Sequence, residues 1–216
     1  MVGQKHVFWQ ALILTVIIFI IGFSLGIYFE SSRAGDFNEL FIESEINLLD
    51  TKTLTDIYSV IDLECEDAIQ KNIEFADEIY EESSYLDALE EKSKFTNSLE
   101  IAHKRYDVLR VLLWINTIKI KEKCPNFNSV VYFYQLKDPS IEQKAKQNVF
   151  SQALFEIKKE RADEIILIPI AADVGLKSID IMNNRYDINK LPSVLVNENQ
   201  KIETIDELEE IRDFLK

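Results

Sequence analysis

Two cysteines, Cys65 and Cys124, and two histidines, His6 and His103, are the residues best suited to thiol or proton-transfer chemistry in this chain. The cysteines admit three readings: a structural disulfide, two buried free thiols, or a redox couple. A reactive thiol needs surroundings that stabilise the thiolate, and Glu64, Glu66 and Asp67 around Cys65 do the opposite. A Cys65–Cys124 disulfide is therefore the favoured expectation, with thiol-disulfide exchange through the same pair as the alternative. His6 borders an apolar stretch and His103 is followed by Lys104 and Arg105, which suits a surface helix better than a catalyst.

Carboxylates gather between Glu74 and Glu91, with Glu74, Asp77, Glu78, Glu81, Glu82, Asp87, Glu90 and Glu91 and no basic residue among them. Hard cations bind such oxygens when a loop converges them, usually with a glycine at the sharp turn. That stretch has no glycine, so a solvated acidic helix face is expected. The chain has no HExxH, no Gly-x-Ser-x-Gly, no Gly-rich phosphate loop and no Asn-x-Ser/Thr sequon. No catalytic residue, metal site or cofactor is expected. The net charge of −14, from 24 Lys and Arg against 38 Asp and Glu, argues against nucleic acid as a partner, because phosphate contacts need basic residues.

The elements that must hold these residues begin with an anchor. No charged residue occurs from Val7 to Phe29. As a helix this stretch is ~34 Å long, enough for a hydrocarbon core of ~30 Å. Trp9 and Tyr28 stand near its ends, where amphipathic rings favour the membrane interface. Lys5 precedes it, whereas Glu30, Arg33, Asp36, Glu39 and Glu43 follow, so the positive-inside rule puts residues 1–6 in the cytoplasm and residues 30–216 outside. A cleaved signal peptide competes, but its apolar region is shorter and ends at a small-x-small site. A single-pass signal anchor spanning 7–29 in the cell membrane is favoured. Gly22-x-x-x-Gly26 offers a contact for homodimerisation within the bilayer.

Residues 30–52 read as a juxtamembrane segment and residues 53–124 as a helical hairpin with coiled-coil-like spacing. Ile61, Cys65, Ile69, Ile73, Ala76 and Tyr80 recur at three- and four-residue intervals, as do Leu99, Ala102, Tyr106, Leu109 and Leu113. Val108–Ile120 is apolar around most of a helix and should be buried on several sides. The polar run Glu91–Ser98 supplies the turn. With that turn between Lys94 and Phe95, both cysteines fall at the open end of the hairpin, where a disulfide would close it. The exterior placement agrees with an oxidising compartment.

Cys124–Asn128 contains a proline and two asparagines, and residues 125–128 read as a connector. Acidity shifts there too: residues 30–128 hold 11 basic and 22 acidic side chains, residues 129–216 hold 12 and 16. Residues 129–216 follow the order βαβαββα. Strands are expected at Ser129–Leu136, Glu164–Ala171 and Leu191–Val196, with a turn at Asn197–Gln200 and a return strand at Lys201–Glu203. The first helix follows a Ser140-to-Gln143 box and should bury Ile141, Ala145, Val149, Phe150, Ala153, Leu154 and Ile157. A short helix is expected at Leu176–Arg185. A last one should start from the Thr204–Glu207 box and run through Leu208, Ile211 and Leu215. The fold class is thus mixed: a transmembrane helix, an α-helical hairpin and a C-terminal α+β domain.

The stretch Tyr186–Val196, with an apolar residue and a proline opening a strand after a short helix, resembles the thioredoxin-like fold over residues 129–216. The resemblance implies a cis Leu191–Pro192 peptide bond and a backbone at Leu191 that pairs with extended peptides, a form of strand addition. It departs from the family where thiol chemistry would lie. Gln135–Ser140 replaces Cys-x-x-Cys, and no histidine stands near Ser140 to activate it. Cysteine-free members of this fold are typically binding or structural domains, so the resemblance implies a redox-inactive thioredoxin-like module that binds or scaffolds a protein partner.

Overall fold

The computed structural model describes residues 4–61, 64–90, 96–125, 127–161 and 164–215. It is a mixed α and β structure whose sheet has four strands. The chain divides into two compact units, residues 1–47 and 48–216. Helix α1 (Gln4–Val60) opens the chain. Its segment Phe8–Phe29 is long and apolar enough to cross a membrane, and none of it is buried within the protein. A membrane anchor and a signal sequence both meet that description. Helical geometry continues through residues 30–52.

In the second unit, α2 (Cys65–Glu90) and α3 (Thr96–Lys123) pack against each other. The turn expected at Glu91–Ser98 falls mainly on residues 91–95, outside the described residues, as do the side chains of Glu82, Asp87, Glu90 and Glu91. Of the acids that are described, Glu74, Asp77, Glu78 and Glu81 are all exposed. The apolar stripe of α2 differs from the expected one. Ile61 lies beyond the end of α1, and Ile61 and Tyr80 are exposed; the buried row is Ala68, Asn72, Phe75 and Ile79, with Ile73 beside it. Two neighbouring stripes have the same period, and the one carrying Phe75 faces α3. A polar pair completes that face, with Asn72 Nδ2 donating to Thr117 Oγ1 at 2.8 Å.

The wide apolar surface of α3 is buried as expected. Leu109, Val111, Leu113, Trp114, Asn116, Thr117 and Ile120 are all covered, because α3 packs against α2 and against the sheet. The end of α1 also reaches α3: Thr55 bonds Asn116, and Lys119 Nζ donates to the Thr55 carbonyl at 3.4 Å.

The sheet comprises β1 (Asn128–Tyr134), β2 (Ile165–Ala171), β3 (Ser193–Val196) and β4 (Gln200–Ile202). Its order is β2-β1-β3-β4. β1 and β2 are parallel, and β3 is antiparallel to both β1 and β4. Helix α4 (Ile141–Glu160) links the parallel pair, and α5 (Lys177–Arg185) precedes β3. Strand alternation divides the core between two faces. Val130, Tyr132, Ile165, Val194 and Val196 form one cluster with Phe150, Leu154 and Ile157 of α4 and with Leu208, Ile211 and Leu215. Phe133 points the other way, against Trp114 of α3 with ring centroids 5.7 Å apart.

Two expected helices are narrower than their patterns suggested. On α4 only Phe150, Leu154 and Ile157 are buried and Ala153 is half-buried, whereas Ile141 is 90% exposed and Ala145 and Val149 are also exposed. The sheet covers about one residue per turn, too little to bury a stripe two residues wide. The final helix is broken into a 3₁₀ turn, Leu208–Glu210, and a single α turn (α6), Ile211–Phe214. Half of the box forms, since Glu207 Oε2 accepts from the backbone N–H of Glu203 and of Thr204, each at 3.2 Å, while the turn begins after Glu207 with no side-chain cap. Those bonds hold the Glu207 carboxyl below its ordinary value. A depressed carboxyl stabilises the fold fully above its unfolded value and loses that contribution as pH falls through its folded value. Glu207→Gln should therefore flatten the acid limb of a stability-versus-pH curve below about pH 4.5, measured by urea unfolding; an unchanged limb would count against those bonds.

The outer edge of β2 is tied at both of its ends. Asn128 N bonds Glu164 O, and Ala172 N bonds Tyr134 O. By alternation the odd-numbered residues of β2 direct their backbone groups away from β1. At one end Lys158 Nζ takes the Ile165 carbonyl at 3.1 Å; at the other, Asp107 Oδ1 accepts from Ala171 N at 3.2 Å. Between them Pro169 has no N–H to offer. A partner strand is thereby discouraged.

Candidate functional site

The expected site residues lie in two separate places within the second unit. Cys65, the first residue of α2, and Cys124, one residue beyond α3, form a disulfide with Cα atoms 5.5 Å apart. The sulfurs join the start of one hairpin helix to the end of the other. Cys124 is buried, whereas Cys65 is exposed.

The second place is the Leu191–Pro192 segment. Its peptide bond is cis. Pro192 is buried and Leu191 half-buried. Pairing of Ser193 with Phe133 sets this segment beside the end of β1 and the loop leading into α4. That loop is tied on both sides. Gln147 of α4 accepts from Gln135 N at 2.9 Å and donates to Gln135 O at 3.1 Å, as a neighbouring strand would. Asp173, just after β2, accepts from Leu136 N and Lys137 N, each at 2.8 Å, through its two carboxylate oxygens. Ser140 Oγ accepts from Gln143 N at 3.1 Å and caps α4.

Thus the backbone N–H groups of Gln135, Leu136 and Lys137 are taken by the protein's own side chains, and Ser140 is engaged in capping. Charge-assisted bonds to backbone N–H groups contribute about 1.5–3 kcal/mol each when buried, and less at a partly exposed site such as this. Asp173→Ala should release Leu136 and Lys137, with faster hydrogen exchange at both amides and a loss of about 1–2 kcal/mol in stability. Exchange as slow as in the parent would mean that another group holds the loop.

Sequence reasoning overlooked a polar bracket at the far end of α3. The β3–β4 turn has positive φ at both Asn197 (52°) and Glu198 (57°). Asn199 N closes it on Val196 O at 3.2 Å. Positive φ is costly for a glutamate, and Glu198 is held there by three donors. Ser129 Oγ lies 2.6 Å and Trp114 Nε1 3.0 Å from its Oε1, and Lys121 Nζ lies 3.1 Å from its Oε2. Asn197 Oδ1 receives Lys121 Nζ at 2.7 Å and Ser129 N at 3.1 Å. The one available signal was the pair of polar residues opening a hairpin turn; their partners are 68–84 residues away in sequence.

Among the described residues no group of three or more His, Cys, Asp or Glu side chains converges as a metal site. Comparison with protein-family models, curated proteins and solved structures gives no match to this chain.

Proposed function

We propose that the chain is a single-pass membrane-anchored protein, with residues 1–6 cytoplasmic and residues 30–216 outside, whose C-terminal part is a redox-inactive thioredoxin-like module that binds or scaffolds another protein. The observation that carries this reading is the loop between β1 and α4. It leads into a helix N-terminus, the setting in which a thioredoxin-like fold activates a thiol, but here that end is capped by Ser140 and fastened by Gln147 and Asp173. The strand order β2-β1-β3-β4, with one parallel pair followed by an antiparallel hairpin, supports the thioredoxin-like reading. So does the cis Leu191–Pro192 bond next to that loop. The disulfide supports an oxidising exterior.

The partner surface is the one around Leu191 and Pro192, flanked by the exposed Asn189 and Lys190. A photo-crosslinking side chain at position 190 of the full chain, activated in native membranes, should yield one specific protein adduct. The same group at the exposed Asp180 serves as the control. Identical patterns from the two positions, or none, would overturn the binding role.

One observation favours a second reading, thiol-disulfide exchange through Cys65 and Cys124. Cys65 is exposed and starts a helix, where the dipole stabilises a thiolate. Glu66 and Asp67 in the same first turn oppose that effect. Thiol titration of the full chain under graded reductant separates the two: a bond that resists mild reductant is structural, and one that opens readily is the exchanging kind.

A further inference from the structure

The second unit contains a cleft of about 710 Å³ bounded by α2 and α3 on one side and by α4 and the β2 edge on the other. Its size lies within the range of about 300–1,000 Å³ typical of small-molecule sites. Five aromatic rings line it, Tyr80, Tyr106, Tyr132, Tyr134 and Phe155. Leu113, Leu136, Leu154 and Leu167 fill the spaces between them. Tyr80 and Phe155 stay 58% and 55% exposed, so the cleft communicates with solvent through an apolar mouth.

Two basic side chains reach the cleft. In a protein of net charge −14, the cleft is lined by Arg110 and Lys158 and by the acid Asp77, with Asp107 paired to Arg110. Arg110 is the deeper of the two cations, with its side chain only 9% exposed. Its Nη1 donates to Asp107 Oδ1 at 3.3 Å, and Asp107 also takes the Ala171 N–H. Burial pushes the Asp107 carboxyl up, against the pull of Arg110 and of that N–H, so Arg110's counter-ion is itself poorly solvated. Arg110 Nε is sealed from solvent and has no hydrogen-bond partner. A guanidinium offers five donors, and one left unpaired in the interior is a cost that a bound acceptor removes when the fork shifts toward it.

We propose that this cleft binds a small amphipathic anion, a medium-chain carboxylate in size and class, with its apolar body among the aromatic rings and its headgroup turned toward Arg110. Apolar walls and a nearly buried cation whose Nε–H has no partner select together for a molecule carrying both properties. Neutral oils lack the charge, and small inorganic anions leave the rings in water. The inference is independent of any role for Leu191 and Pro192.

The test uses the full chain in lipid nanodiscs, with decanoate as ligand and decanol as its neutral counterpart, followed by equilibrium dialysis. Ser151 is exposed on α4 and lines the cleft, so Ser151→Trp fills the space without entering the core. Decanoate should bind saturably at one per chain. Decanol should bind about tenfold or more weakly, the worth of one charge-assisted hydrogen bond. Ser151→Trp should abolish the saturable binding with the melting temperature unchanged. Arg110→Gln should erase the preference for decanoate; if that variant misfolds, Lys158→Gln, at the partly exposed cation, should reduce it instead. Equal uptake by parent and Ser151→Trp would show partition into the nanodisc lipid alone and overturn the site. Equal affinity for decanoate and decanol would overturn the anion specificity on which the proposal rests.

Discussion

Replacing Cys65 and Cys124 together by serine lowers the stability of the second unit by about 4 kcal/mol. The figure comes from the chain entropy that a cross-link removes from the unfolded state for a loop of this length, the two cysteines being 59 residues apart in sequence. For a unit of this size each kcal/mol moves the melting temperature by about 2–4 °C, so the expected fall is about 8–16 °C. Thermal unfolding of the full chain, followed by near-ultraviolet circular dichroism with and without reductant, measures it. The reduced parent and the double serine variant should coincide. A melting temperature within a degree or two of the oxidised parent would show that the bond carries no structural load and would favour the exchange reading. The loss should be felt unevenly. The bond ties the start of α2 to the end of α3, so amides of the first α2 turns should exchange faster. Those near the Asn72–Thr117 pair should follow the global change.

The features legible in the sequence are those written locally. Twenty-three uncharged residues made the apolar helix segment. Alternating β-branched and aromatic residues marked each strand to within two residues of its observed ends. Ser140 and Gln143 announced the start of α4. The disulfide was legible because hairpin symmetry constrains two distant positions at once. What escaped depends on long-range geometry. Periodicity could not tell the Phe75–Ile79 row of α2 from its neighbour, since both repeat alike and only the position of α3 decides. Nor did it show that Ile141 and Val149 run past the edge of the sheet. The compact units separate near residue 47, and α3 packs on the sheet as well as on α2, so hairpin and sheet share the second unit. The cleft was beyond sequence reasoning altogether. Arg110 and Lys158 belong to different helices, and nothing local signals that they line a common space.

Trp114→Ala is the other substitution with a large expected effect, about 3–5 kcal/mol. The indole is fully buried and touches both Phe133 of β1, at 5.7 Å between centroids, and Tyr186 after α5, at 5.1 Å. Truncation therefore opens a cavity where α3, the sheet and α5 meet. It also removes a donor from Glu198, whose positive φ is maintained by the polar bracket. Trp114→Phe separates the two contributions. It keeps an aromatic ring against Phe133 but loses the Nε1–H bond, and should cost about 1–2 kcal/mol. Glu198→Ala should cost more than Trp114→Phe, about 3 kcal/mol, because Lys121, Ser129 and Trp114 all lose an acceptor in a part-buried site. A double-mutant cycle of Trp114→Phe with Glu198→Ala, followed by urea unfolding, should give a coupling energy of about 1 kcal/mol. Strict additivity would mean that the indole stabilises the unit by packing alone. In that case the β3–β4 turn would be held in its left-handed conformation by Lys121 and Ser129, and Lys121→Met would be the variant that releases it.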